Sequence, residues 1–279
     1  NTRIYCGIIA DNTYLYLGTD NGILVYNYRT DKYEQPDTDF PTDVRTMVLQ
    51  GDTLWIGSLN GLYTYQLKSR QLNHFDSKQT GLPHNTIYSI IHTKDNQIYI
   101  GTYNGLCRYV QASGKFENIL LPVNRGGSNL FVNSLLEDTT RQCIWIGMEG
   151  YLFQYNPTIG EMKAIEVFHN NSIKSLALDG DENLLAGTDN GLYVYQNDKE
   201  PLQHIIHDSR NIQSLTNNII WNIFADQEQN IWLGTDYGIS LSRYNSALQF
   251  IPISQITGTG DGNQFYSLFR DSKGFYWFG

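Results

Sequence analysis

Leu54-Trp55-Ile56-Gly57-Ser58-Leu59-Asn60-Gly61-Leu62 is the stretch that decides the fold, because the chain writes it again and again. It stands upstream as Leu15-Tyr16-Leu17-Gly18-Thr19-Asp20-Asn21-Gly22-Ile23. Downstream it returns as Ile98-Tyr99-Ile100-Gly101-Thr102-Tyr103-Asn104-Gly105-Leu106, as Leu184-Leu185-Ala186-Gly187-Thr188-Asp189-Asn190-Gly191-Leu192 and as Ile231-Trp232-Leu233-Gly234-Thr235-Asp236-Tyr237-Gly238-Ile239. Ile144-Trp145-Ile146-Gly147 is a further copy, and Tyr276-Trp277-Phe278-Gly279 opens a seventh. The anchoring glycines are 18, 57, 101, 147, 187, 234 and 279, spaced by 39, 44, 46, 40, 47 and 45 residues. That period is the length of a four-stranded propeller blade.

Each run before an anchor glycine is apolar at consecutive positions, so it is buried on both faces, as a strand packed between neighbouring blades is. The Asn-Gly pairs 21–22, 60–61, 104–105 and 190–191 suit two-residue hairpins with positive φ at both central positions. Blade four has Gly150-Tyr151 instead, so its hairpin must be built differently. An inner strand precedes each run, at Ile4–Ile9, Ile87–His92, Val132–Glu137, Ile173–Leu178, Ile220–Ala225 and Phe265–Arg270. Asn85, Asn171, Asn218 and Asn263 stand two residues ahead of four of these, where an amide side chain can cap the turn into the strand. The expected fold is therefore all-β: one seven-bladed-type β-propeller over 1–279, with six blades complete and the seventh truncated. The blades run at about 1–39, 40–78, 79–122, 123–168, 169–208, 209–255 and, in part, 256–279. An open seventh blade would expose a sheet edge, so the natural chain is expected to continue past Gly279.

Composition narrows the functional classes. The net charge of −9 and the lack of a basic stripe argue against direct contact with nucleic acid or anionic membrane, and against highly sulfated ligands. No apolar run is long enough to span a bilayer. Cys6, Cys107 and Cys143 form neither a zinc pattern nor a disulfide framework; packed thiols are the expectation, with one bridge left open.

Among propellers, the order of features is informative. An inner strand is followed by a turn such as Asp226-Gln227-Glu228-Gln229-Asn230, then Ile231-Trp232-Leu233-Gly234-Thr235, then Gly-Ile or Gly-Leu and a tyrosine. Gly81-Leu82-Pro83-His84-Asn85-Thr86-Ile87 reads as a leader into the unit. These motifs resemble the two-component regulator propeller repeat, and the resemblance covers essentially the whole chain. It implies a periplasmic sensor of a hybrid two-component system in glycan-degrading gut bacteria, part of an inner-membrane protein. The parent would carry two seven-bladed propellers, a β-sandwich, a membrane helix, a histidine kinase, a receiver and a DNA-binding domain. This chain would be the first propeller, its ligand an oligosaccharide, its partners the neighbouring propeller and sandwich, and its receptor a homodimer that controls transcription for glycan use.

No catalytic residue, metal site or cofactor is expected within the chain. There is no G-x-S-x-G elbow and no P-loop. His204 and His207 are three apart, which on a strand puts them on opposite faces. Gly258–Gly262 is read as a flexible loop, and Asp179–Asn183 as a polar turn, since a calcium loop would need Gly where Leu184 stands. Asp20, Asp189 and Asp236 repeat in one slot, which speaks for structure. Trp55, Trp145 and Trp232 are core by the same logic, whereas Trp221 stands on an inner strand where other copies have Tyr88 and Lys174.

In a propeller, the loops joining outer to inner strands share a face with the hairpins, around the mouth of the central channel. Here these loops are Asp76–Thr86, Leu121–Phe131, His207–Asn218 and Ile253–Gln264. Sugars are held by flat aromatics and planar polar groups. The ligand-binding candidates are the non-repeating residues of that face: Tyr103, Asn104, Glu149, Trp221, Tyr237, His84, Arg125 and Arg210. Two other readings stand beside the sensor: a structural or dimerising propeller with no ligand of its own, and a propeller polysaccharide lyase or glycosidase.

Overall fold

The computed structural model describes residues 2–10, 13–34, 36, 38–123, 130–165, 171–196, 199–244, 250–252, 264–271 and 273–279, with backbone alone at 199–202, 250 and 251. Two compact units emerge: Asn1–Glu137 with Thr158–Met162, and Asp138–Pro157 with Lys163–Gly279.

The first unit holds three complete antiparallel blades, each a meander of four strands in chain order. They are β1 (Ile4–Ala10), β2 (Tyr14–Thr19), β3 (Gly22–Asn27), β4 (Lys32–Glu34); β5 (Val44–Gln50), β6 (Thr53–Ser58), β7 (Gly61–Gln66), β8 (Leu72–Phe75); and β9 (Ile87–His92), β10 (Ile98–Thr102), β11 (Gly105–Val110), β12 (Lys115–Ile119). A one-turn helix, α1 (Ser77–Thr80), lies between the second and third blades. The fourth sheet runs β13 (Val132–Asp138), β14 (Cys143–Met148), β15 (Tyr151–Asn156), β16 (Glu161–Ile165). In the second unit follow β17 (Ile173–Leu178), β18 (Leu184–Thr188), β19 (Gly191–Gln196), β20 (Lys199–Ile205), and β21 (Ile220–Ala225), β22 (Ile231–Thr235), β23 (Gly238–Ser242), β24 (Phe250–Pro252).

The all-β class and the four-stranded blade stand, but the blade number expected from the sequence does not. The propeller is six-bladed, not seven-bladed with a truncated seventh. The seventh repeat yields only β25 (Leu268–Arg270) paired with β26 (Tyr276–Phe278), a ribbon of two three-residue strands. A blade needs four strands to make a wedge, and the sequence expectation takes this inner pair for the start of a further blade.

The anchor glycines mark where one blade meets the next. A Cβ on Gly57 would lie 2.6 Å from Ile87 Cγ2; on Gly147, 2.6 Å from Ile173 Cγ2; on Gly187, 2.7 Å from Ile220 Cγ2. In each case the opening residue of the following inner strand occupies the space a side chain would need. That residue is wholly buried in Val44, Ile87, Val132, Ile173 and Ile220, which anchors the inter-blade cores. One such core gathers Trp55, Leu62, Ile87, Ile98, Ile100 and Cys107. Another gathers Leu185, Leu192, Val194, Ile220, Ile231 and Leu233.

The hairpins differ from expectation in a second way. Thr19 pairs with Gly22, so the central residues are Asp20-Asn21, and neither has positive φ; Gly22, at φ 115°, does. A glycine following a type I turn forms a bulge of this kind. The residue after each anchor glycine then closes the turn with its hydroxyl. Thr19 Oγ1 donates to Gly22 O at 2.9 Å and accepts from Asn21 N at 3.1 Å. Ser58, Thr102, Thr188 and Thr235 repeat both bonds. In blade four Met148 replaces the hydroxyl and Gly150 itself is central, at φ 78°.

At the far end of the inner strands a carboxylate holds both the turn and the indole. Asp226 accepts from Asn230 N at 2.8 Å and from Trp232 Nε1 at 2.8 Å, and Asp271 treats Lys273, Phe275 and Trp277 in the same manner. Asp138 is wholly buried and accepts from Trp145 Nε1 at 3.0 Å and Arg141 Nη1 at 2.6 Å. Asp179 accepts from Asp181 N and Asn183 N, making an ordinary polar turn of the stretch that begins like a calcium loop.

Candidate functional site

Five of the inner strands share one irregularity, and it falls at the same position in each. Opposite the anchor glycine the register slips by one residue: between Ile4 and Cys6, Val44 and Thr46, Ile173 and Ser175, and Ile220 and Asn222. In the third blade Gly101 pairs with Ser89 and Thr102 with Ile87, so Tyr88 is the residue skipped. At the seventh repeat, Tyr266 N and Ser267 N both reach Gly279 O, at 2.6 and 3.0 Å. Bulges of this kind take a residue out of the ladder and re-aim its side chain, and they recur next to functional sites. The residues so released are Tyr5, Arg45 and Tyr88 in the first unit, and Lys174, Trp221 and Tyr266 in the second. The residue before each is Ile, Val or Phe, whereas these vary among Tyr, Arg, Lys and Trp.

In the first unit these residues join two of the candidates. The His84 and Tyr103 rings are 4.9 Å apart, and Tyr103 meets Phe131 edge-on at 4.2 Å. Phe131 in turn faces Tyr88 at 6.1 Å. His84 Nδ1 accepts from Thr86 N at 3.0 Å, which fixes the ring at the end of its loop. That loop is tied at its start by Asn85, whose Oδ1 accepts from Ser77 N at 2.8 Å. Asn218 does the same for His207 N, so these asparagines close the inter-blade loops. Burial raises the Tyr88 phenol above its ordinary range, with Tyr103 adding to the shift and Arg45 opposing it. The Arg45 guanidinium lies over Tyr5, 3.8 Å from the ring centroid.

The second unit has its own cluster around Trp221. Lys174 Nζ lies 4.4 Å from the indole centroid, and the Tyr266 ring is 5.1 Å away. Trp221 Nε1 donates to Asp236 Oδ1 at 3.1 Å, as does Gln264 Nε2 at 2.7 Å, and Tyr266 OH donates to Gln264 Oε1 at 2.6 Å. Asp20 and Asp189 occupy the equivalent slot but bond to backbone, at Arg3 N and Ser172 N. Asp236 has left that structural role for side chains on the variable position.

The other candidates are less engaged. Asn104 and Tyr237 are exposed at hairpin tips, their N–H groups held by Thr102 and Thr235. Glu149 is exposed and bridges to Ser172. Arg210 pairs with Asp208 on the exposed loop, 3.1 Å away. Arg125 lies outside the described residues, as do most of 253–264 and the whole of Gly258–Gly262. Tyr5, Arg45, Phe131, Lys174, Asp236 and Tyr266 escaped the sequence reading. Their signal is the residue after each apolar inner-strand opener, which runs Tyr, Arg, Tyr, Asn, Lys, Trp, Tyr from repeat to repeat.

No group of three or more His, Cys, Asp or Glu able to hold a metal ion occurs among the described residues. Two of the histidines have packing roles: His204 stacks on Tyr193 at 4.1 Å, and His74 on Tyr63 at 4.4 Å. All three cysteines are free thiols. None of the described helices is long and apolar enough to cross a membrane.

The family model described as two component regulator propeller matches residues 81–104 and 214–237. Two solved structures of the extracellular domain of a B. thetaiotaomicron protein are 82% and 83% identical to this chain, with TM-scores of 0.86 and 0.85; one is described as a candidate one component system, the other as a candidate hybrid two component system. They cover 100% and 99% of this chain, which spans only 38% and 37% of theirs. Histidine kinase P4 of Formosa agariphila is 26% identical over 161 residues, 51% of this chain and 11% of that protein. The chain carries the two-component regulator propeller repeat.

Proposed function

We propose that this chain is the ligand-sensing, periplasmic propeller of a hybrid two-component sensor histidine kinase, and that its ligand is an oligosaccharide whose arrival controls genes for glycan use. Kinase, receiver and DNA-binding parts belong to the rest of such a receptor, as do a second propeller, a β-sandwich and the homodimer through which binding would be read. The chain itself does no chemistry in this reading.

The observation that carries the proposal is the contrast at the bulge. The preceding residue is apolar in every repeat, while the residue at this position is aromatic or cationic in six of the seven, asparagine in the fourth, and changes among Tyr, Arg, Lys and Trp. A purely architectural repeat has no use for that variation, whereas a ligand without matching symmetry requires it. Aromatic faces with planar polar groups at their edges, such as Trp221 with Asp236 and Gln264, suit the C–H faces and hydroxyls of a sugar.

Isothermal titration of the chain against a panel of plant and host oligosaccharides tests this. A saturable heat with one compositional class, lost on Trp221→Ala or Tyr103→Ala, is the expected result. Silence across a broad panel overturns it.

A further inference from the structure

Resting on the sensing reading above, we propose that the bulge residues of the first unit, Tyr5, Arg45 and Tyr88, form a subsite for the carboxylate of a uronic acid within the oligosaccharide. Three observations converge. First, Arg45 is held but underused. Among the described residues its one hydrogen bond is a long one, Nη2 to Asp43 at 3.4 Å, and its buried Nε has no partner there. Guanidinium is a rigid fork of five donors matched to carboxylate geometry. With the side chain 28% exposed, the terminal nitrogens stay within reach of a ligand.

Second, the cation sits on an aromatic face. In a chain of 28 acidic and 19 basic residues, an unconstrained arginine would be expected to find a carboxylate. Arg45 does so only through a long contact to Asp43, two residues away, at 3.4 Å, and its guanidinium lies over Tyr5 at 3.8 Å. The second unit repeats the arrangement independently, with Lys174 over Trp221 at 4.4 Å. Both ionisable cations at bulge positions are thus presented on rings, and no acid stands at a bulge position. Third, the surroundings suit a sugar ring beside its carboxylate. Tyr88, Tyr103 and Phe131 form a connected aromatic wall with His84 at its edge. A pyranose ring stacks on such a wall while its carboxylate takes the open guanidinium edge in a bidentate, charge-assisted pair.

The test compares trigalacturonate with galactotriose, its uncharged counterpart, by titration of the 279-residue chain. The variants are Arg45→Gln, Arg45→Lys and, as a distant exposed control, Lys68→Gln; thermal melts verify that each is folded. Trigalacturonate should bind, more weakly at high salt, and galactotriose should bind at least tenfold more weakly. Arg45→Gln should cost about tenfold or more in affinity for trigalacturonate, Arg45→Lys should restore part of it, and Lys68→Gln should change nothing. Preference for the neutral sugar, or indifference to Arg45→Gln, overturns the subsite while leaving glycan sensing intact. Absence of binding to any glycan, charged or neutral, overturns both.

Discussion

Replacing Gly101 by Ala places a methyl group where the third blade meets the following inner strand. The added Cβ would lie 2.3 Å from Ser89 Oγ, 2.6 Å from Val132 Cγ1 and 2.8 Å from Val132 O. Ser89 can rotate away only by giving up its 3.1 Å hydrogen bond to Val132 O, worth about 1 kcal/mol. The valine carbonyl is backbone and moves only if β13 moves, and forced overpacking of this sort costs about 1–3 kcal/mol. The two together put Gly101→Ala at about 2–4 kcal/mol of destabilisation, read as a lower urea midpoint at unchanged slope. The double variant Ser89→Ala/Gly101→Ala separates the contributions: with the closest contact gone, it should be destabilised by less than the two single changes added together. A loss below about 1 kcal/mol for Gly101→Ala would refute the claim that these glycines exist for blade contact. So would strict additivity in the double variant.

Other consequences follow from the same geometry. Burial alone would raise the Asp138 carboxyl, but the bonds from Trp145 and Arg141 and the guanidinium charge outweigh it and hold it below the usual range. A depressed folded value gives stability that is present above about pH 3.9, the ordinary aspartate value, and is lost as pH falls through the folded value. Melting temperature measured from pH 7 to pH 3 should fall more steeply at the acid end in the wild type than in Asp138→Asn, which should itself be about 1–3 kcal/mol less stable at pH 7. Thr102→Val removes a hydroxyl that donates to Gly105 O and accepts from Asn104 N; a cost of about 1–2 kcal/mol in urea unfolding is expected, with blade pairing otherwise intact. Burial pushes the Cys6 thiol up to about 12 and Cys143 to about 11, and Cys107 higher still. All three should resist maleimide at pH 8 in the native state and react promptly in denaturant, as followed by mass spectrometry.

The blade was legible because its constraints are local and repeat. A buried strand with Gly57 or Gly187 at one place, a hydroxyl next and a glycine three further on is one solution to packing and turn closure, so it recurs. The count of blades was not legible, since Tyr276–Gly279 satisfies the repeat's inner half and says nothing of outer strands. Positive φ at Asn21 and its equivalents was expected from the Asn-Gly pair. The turn is instead centred one residue earlier, which the hydroxyl of Thr19 decides and a dipeptide rule cannot register. Trp221, Tyr103 and His84 became candidates because they break the repeat visibly. Arg45 and Lys174 were passed over because a lone cation on a strand looks like solvated surface. The alignment of repeats already put Lys174 at the position of Trp221; what it could not show is that the register slip takes this position out of the ladder. Asp236 hid for the opposite reason: it matches Asp20 and Asp189 in sequence and differs from them only in its partners.

The central claim is that the bulge-and-hairpin end of the blades receives a glycan. Hydrogen–deuterium exchange of the chain with and without a saturating bound oligosaccharide tests it directly. Slowed exchange should appear in the peptides around His84–Tyr88, Tyr103 and Trp221, with the opposite-end turns at Asn96, Gly114 and Gln229 unchanged. Protection confined to those opposite turns, or to the outer strands β4, β8 and β12, would contradict the account.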